Sequence, residues 1–186
     1  MRFLVIVALL GCTHPPPPAA PVAPPPKPAE PSEPVGLPLG YVEMRLEKVL
    51  DIDSQSGLIL VDERDNYALL VVVGGTEAMS IYTRMHGEKA PRPLTHDLLD
   101  HVLAKLHASL VQVQIDELRG TTFIGSIYLK LEGGRVIKLD SRPSDGIALA
   151  IGAHVPIYVK RTVLEQAGLP WDQVQKQMSQ AQGNEG

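Results

Sequence analysis

A single cysteine, Cys12, serves the whole 186-residue chain, so no intramolecular disulfide can form and neither a cysteine zinc site nor a catalytic thiol is available further on. Aromatic residues are also scarce: two Phe, one Trp and five Tyr are too few for an extended platform on which bases stack. Basic residues do not dominate, with 17 Lys+Arg against 21 Asp+Glu and a formal charge of −4. Setting aside Arg2, Lys27, Glu30 and Glu33 leaves 15 against 19 from residue 39 onward, again −4. No broad positive field draws nucleic acid, and strand binding would need a local patch. No apolar run approaches the ~20 residues of a bilayer-spanning helix. A Walker loop, a dinucleotide-binding glycine pattern after a strand and a Gly-x-Ser-x-Gly elbow are missing, so nucleotide-driven, redox and serine-hydrolase readings have no support.

What apolar clustering there is begins at the front. Met1-Arg2, the run Phe3 to Leu10 and then Gly11-Cys12 have the order of a secretory signal, and Leu9-Leu10-Gly11-Cys12 resembles a bacterial lipobox. Residues 1–11 are therefore expected to be a lipoprotein-type signal peptide and Cys12 the lipidated residue that ties the chain to a membrane. Thr13 rather than Asp follows it, which favours the outer membrane facing the periplasm; a misread start would leave the protein cytoplasmic. Twelve of the 17 prolines fall between residues 15 and 38. Residues 12–38 thus read as a semi-rigid polyproline II stalk whose simplest role is spacing.

The remainder suits one domain, residues 39–169. Val42, Met44 and Leu46 alternate with Glu43, Arg45 and Glu47 as in a strand with one wet face; Leu58 to Val61 and Tyr67 to Val73 read as the next two strands. Thr76 can cap a helix to His86 whose apolar side holds Ala78, Ile81, Tyr82 and Met85. After Pro91 and Pro93, Thr95 can cap a second helix, with Leu98, Leu99, Val102, Leu103 and Leu106 as its buried stripe. Strands return at 111–115, 122–131 and 136–140, followed by a helix over 144–151, a strand at 157–159 and a helix over 161–167. The order predicts an α+β fold: a mostly antiparallel sheet with two strand-strand-strand-helix units and additional short helices. Residues 170–186, Gln-rich and ending in Gly, are expected to be a flexible tail. Open sheet edges could pair with another copy, so a homo-oligomer is a candidate state.

Two stretches concentrate chemistry at helix starts, where free backbone N–H groups and a partial positive charge can hold an anion or orient a carboxylate. In the second, Asp140 ends a strand and Arg142, Ser144 and Asp145 begin a helix, so two carboxylates and a guanidinium could converge. Asp140 and Asp145 could hold a hard divalent ion such as Mg²⁺ or Mn²⁺, and Arg142 could grip a phosphate by two bonds. Equally, Ser144 could be a plain cap and Arg142 could only pair with Asp145. In the first stretch, His96 faces Asp100 and Asp97 faces His101 at helical spacing, which suits proton transfer, metal binding or merely solvated pairs. Asp116-Glu117 could supply a further ligand or only serve a turn.

The blocks Pro91-Arg92-Pro93-Leu94-Thr95-His96-Asp97-Leu98-Leu99 and Arg142-Pro143-Ser144-Asp145-Gly146-Ile147-Ala148-Leu149-Ala150, with Pro156-Ile157-Tyr158-Val159 after them, resemble in that order the bifunctional nuclease domain family. The resemblance runs from about Tyr41 to Gly168. It implies a nuclease that cleaves RNA and DNA. Chemistry at the matching positions then suggests catalytic roles for Asp145, Arg142, His96 and Asp97, substrate contacts for Thr95, Arg92 and Ser144, and a divalent metal on Asp140 and Asp145. Two departures stand out: Gly146 where the family normally has Ala, leaving a backbone that a ligand could approach, and Val71-Val72-Val73-Gly74-Gly75 in place of an Ile-x-Ile-Gly stretch. The competing reading is an envelope-tethered binding or assembly module that keeps the fold without catalysis.

Overall fold

The structure is a computed structural model that describes residues 35–52, 55–62, 64 and 66–183. The signal-like segment, Cys12 and the stalk up to residue 34 lie outside the described residues, as do the last three of the tail. Eight strands form one sheet in the order β6-β5-β4-β7-β1-β2-β3-β8. They are β1 (Tyr41–Ile52), β2 (Gln55–Asp62), β3 (Tyr67–Val73), β4 (Ser109–Arg119), β5 (Thr122–Lys130), β6 (Val136–Ser141), β7 (Ile157–Lys160) and β8 (Gly168–Pro170). Every pairing is antiparallel except β4 with β7. The architecture is the α+β arrangement that the alternating strands and two three-strand units predict. Strand β7 joins the units, pairing with β4 on one side and β1 on the other.

Helices α1 (Gly75–Met85), α2 (Thr95–Lys105), α3 (Pro143–Ala153), α4 (Arg161–Ala167) and α5 (Trp171–Gly183) complete the domain. The main core lies between the sheet and α1, α3 and α4, where Leu58, Leu60, Leu69, Ile81, Ile115, Ile147, Leu149 and Leu164 are at most 1% exposed. Strand β2 is buried at every position after Gln55 because both of its faces are covered. On the second face, Ile59, Val61 and Ala68 meet Trp171, Val174 and Met178 of α5. Those three residues recur at helical spacing, so a helix stands where the sequence suggests a flexible tail.

Helix starts also differ from expectation. Gly74, not Thr76, is the N-cap of α1, and Leu94, not Thr95, that of α2. A leucine has no side-chain acceptor, and the α2 start is closed instead by Asp97, whose carboxylate accepts the Leu94 N–H at 2.9 Å. The larger correction concerns the face α2 buries. Leu98, Leu99, Val102 and Leu106 are 38–67% exposed, and His96 is the buried residue of this helix. Tyr82 and Met85 of α1 are likewise turned outward. Polar ties to α1 and α3 hold α2 with its leucine side to solvent.

Helix α3 is the most deeply buried, with Ile147, Ala148, Leu149 and Ala150 all at 1% exposure or less. Its approach to β4 depends on Gly146, where a Cβ would stand 2.7 Å from Val113 Cγ1 and 3.5 Å from Ile127 Cγ2. The glycine therefore answers a packing need, not a ligand's approach. Gly146→Ala gains ~1 kcal/mol of helix propensity but overpacks the core at a cost of ~1–3 kcal/mol. A lower melting temperature is expected, with recovery in the double variant Gly146→Ala/Val113→Ala; a melting temperature raised by the single change would show that Val113 yields freely.

Candidate active site

Three helix starts meet in one place. The β6-to-α3 corner puts Arg142 at the N-cap of α3, with Pro143 fixing the first helical residue and Asp145 in the first turn. Helix α1 brings Glu77 in its first turn and Ser80 one turn on, and α2 brings Thr95 and His96. Arg142, Asp145, Glu77, Ser80, Thr95 and His96 line a cleft of about 430 Å³.

Within the cleft, Arg142 grips Asp145 by two bonds, Nε to Oδ2 at 2.8 Å and Nη2 to Oδ1 at 2.9 Å, and Nη2 also donates to Glu77 Oε1 at 2.8 Å. His96 lies behind them, its side chain 9% exposed, with Nε2 3.4 Å from Asp145 Oδ1 and Nδ1 2.9 Å from Ser80 Oγ. Which ring nitrogen donates in these two contacts depends on the tautomer, and in each case the ring is fixed between the carboxylate and the Ser80 hydroxyl. Partial burial is the largest influence on Asp145 and raises its pKa. The bonds and charge of Arg142, joined by His96, outweigh it and hold the carboxyl below its ordinary value. Arg142 is in turn pushed up by Asp145 first and Glu77 second.

A carboxylate with a depressed pKa stabilises the fold above the unfolded value of about 3.8 and loses that contribution as pH falls through the folded one. The gap in melting temperature between the native chain and Asp145→Asn is therefore expected to be constant from pH 7 to pH 5 and to close below about pH 4. A gap that closed near neutrality would assign the change to another group.

Arg142, Asp145, His96 and Thr95 thus come together as the sequence suggests. Asp97 does not join them: it pairs with Arg84 Nη2 at 2.7 Å, and Asp100 takes the same nitrogen at 2.8 Å. The expected pairs His96–Asp100 and Asp97–His101 are replaced by His96–Asp145 and by this Arg84 clamp. Asp140 stands exposed on β6 opposite Ser126, outside the cleft and close enough to Arg119 to raise its pKa, so the expected Asp140–Asp145 metal pair does not form. Arg92 is exposed and Ser144 buried, and neither lines the cleft. Asp116 lies in β4, bonded to Tyr41, Ser126 and Lys138. Among the described residues no group of three or more His, Cys, Asp or Glu gathers as a metal cage.

Glu77 and Ser80 are the members that sequence reasoning missed. Glu77 sits where first-turn acids are common, and nothing local reveals that its helix start faces one 65 residues away. Its side chain bends back over Gly74, where a Cβ would stand 2.7 Å from Glu77 Oε2.

Comparison with known proteins bears on what such a cleft does. The family model of the bifunctional nuclease domain matches residues 58–172. An uncharacterized protein of Mycobacterium tuberculosis is 39% identical over 131 residues, covering 70% of this chain and 77% of its own length. The protein named bifunctional nuclease 1 from Oryza sativa subsp. indica is 23% identical over 128 residues, 67% of this chain but 39% of its own length.

Proposed function

The chain belongs to the bifunctional nuclease domain family, and on that premise we propose that it hydrolyses phosphodiester bonds of RNA and DNA in the cleft of Arg142, Asp145 and His96. The observation that carries this reading is the convergence of those three side chains from two helix starts far apart in sequence, α3 for Arg142 and Asp145 and α2 for His96. In the proposed reaction a water oxygen attacks phosphorus, the ester P–O bond breaks, and the leaving oxygen takes up a proton. Arg142, 67% exposed at the cleft mouth, grips the nonbridging oxygens and stabilises their growing charge. Asp145 accepts the proton of the attacking water, the leaving oxygen takes its proton from solvent, and His96, itself oriented by Ser80, holds the Asp145 carboxylate in place. Thr95 contacts the substrate from the rim.

A hard divalent ion, Mg²⁺ or Mn²⁺, belongs to the proposal as a cofactor. Glu77 and Asp145, in place of the expected Asp140–Asp145 pair, would hold it only with the Arg142 guanidinium that both carboxylates now bond turned away to the substrate phosphate, and such ions need only one or two carboxylates when substrate phosphate and water complete the shell. When bound, the ion would supply Lewis-acid polarisation of a phosphoryl oxygen.

The proposal extends to location and partners: an enzyme anchored through lipid on Cys12, held off the outer membrane by the proline-rich segment and paired with a second copy through an open sheet edge. The test is cleavage of labelled single-stranded RNA and DNA by the purified full chain with Mg²⁺, Mn²⁺ or EDTA, beside Asp145→Asn. Cleavage lost in the variant supports the reading. No cleavage by either preparation would favour the binding module, and equal cleavage by both would point to a contaminant.

A further inference from the structure

On the side of the sheet away from α3 lies a second cleft, about 620 Å³, lined by Gln114, Tyr128, Lys138 and Lys160 and walled by the segment Val35–Leu39. We propose that it binds the oxyanion of a small ligand, phosphate or carboxylate, through Gln114, Lys138 and Lys160.

Strand alternation creates the site. Val113 and Ile115 point into the core under α3, which turns Gln112 and Gln114 to the opposite face. Both glutamines are 1% exposed, an unusual pair to bury on a strand. Gln112 is explained, because its Oε1 accepts the Gly36 N–H at 3.0 Å and pins the covering segment. Gln114 is explained only by half: Oε1 accepts the Tyr128 hydroxyl at 3.1 Å, while the buried Nε2 has no partner among the described residues. A buried donor left unmade is costly enough to be exceptional in a native fold.

Donor and acceptor bookkeeping defines the ligand. The acceptors in contact with these donors are taken, Gln114 Oε1 by Tyr128 and Asp116 by Tyr41 at 2.8 Å, by Ser126 at 2.7 Å and by Lys138 at 3.1 Å, while Glu43 and Asp140 share this face but do not line the cleft. Glu117, whose charge Lys160 feels, is held by Arg119 at 2.7 Å. Within the cleft lining, what stays available is donor-rich and positive: the Gln114 amide protons, the remaining protons of Lys138, which also lies 5.6 Å from the centre of the Tyr128 ring, and Lys160, which makes no ion pair among the described residues. Negative oxygen acceptors satisfy that set, and Val35, Leu37 and Pro38 leave an apolar wall for a ligand's body.

The ¹⁵N-labelled full chain would be titrated with sodium phosphate and, separately, sodium acetate, with ionic strength held constant by NaCl. The Gln114 side-chain amide is expected to shift saturably, and the anion that saturates at the lower concentration identifies the oxyanion. Lys160→Gln, a surface change that leaves the fold intact, is expected to weaken that binding roughly tenfold, the effect of one charge-assisted bond, while cleavage of nucleic acid stays at the native rate. Gln114→Met should abolish the shift of the Tyr128 ring that accompanies binding. The proposal fails if neither anion gives a saturable shift at Gln114, or if Lys160→Gln titrates like the native chain. Neither failure touches the nuclease reading, which rests on the other cleft.

Discussion

Asp145→Asn is expected to lower cleavage of single-stranded RNA and DNA by about 10²–10⁴-fold, the range associated with losing a positioned general base. The substitution is nearly isosteric, so Arg142 keeps a neighbour that can still accept one bond. What vanishes is the negative charge that takes a proton from water and that faces His96 Nε2 at 3.4 Å. The side chain is 29% exposed, so the stability it contributes at neutral pH is modest and the larger loss appears in the rate. Glu77→Gln removes a carboxylate joined to the same guanidinium by one bond instead of two. Its effect is expected to be smaller, about tenfold or less if Glu77 only steers Arg142, and larger, with a shifted Mg²⁺ requirement, if Glu77 shares the ion. Activity equal to native in both variants, in preparations shown free of contaminating nuclease, would remove this cleft from the reaction.

The contrast between Asp145 and Asp97 shows how far sequence carries and where it stops. Both are first-turn acids next to proline turns, and local rules rank them alike. The fold separates them: Asp145 meets a residue three positions away and another 49 away, whereas Asp97 closes its own helix start and clamps Arg84. Period-two alternation in β1 and the glycine-joined β5 and β6 were readable because each records one local geometry. The burial face of α2 was not. Its leucines at helical spacing point to a core, yet His96, Asp97 and Asp100 face inward because their partners lie on α1 and α3. Long-range polar ties overrode hydrophobic periodicity, and no local pattern reports them. Helix α5 escaped notice for the converse reason: Trp171, Val174 and Met178 form a narrow stripe within an otherwise polar segment.

Those ties predict the largest loss of stability in the molecule. Arg84, with its side chain 7% exposed, links three helices: Nη1 donates to the Ala148 carbonyl of α3 at 3.2 Å, and Nη2 holds Asp97 and Asp100 of α2. Removing one partner of a buried ion pair costs about 3–5 kcal/mol, and since the two carboxylates are 36% exposed and partly rehydrate, about 2–3 kcal/mol is expected for Arg84→Met. At ~2–4 °C per kcal/mol for a chain of this size, the melting temperature should fall by roughly 5–10 °C. Arg84 Nε is itself buried without a partner among the described residues, so methionine relieves one unsatisfied donor and trims the loss. Neutralising the stranded acids as well, in Arg84→Met/Asp97→Asn/Asp100→Asn, should recover part of the stability, because it is the unpaired charge that destabilises most. Gly152→Ala attacks the same clamp from α3: its Cβ would collide with Arg84 Nη1, so the guanidinium must leave the Ala148 carbonyl. Both single changes loosen α2, which carries His96, and both should therefore lower cleavage more than Asp97→Asn does, at temperatures where the chain is still folded. If α2 stayed in register without Arg84, cleavage would hold at the native level while the melting temperature fell, and the clamp would be a stability device alone.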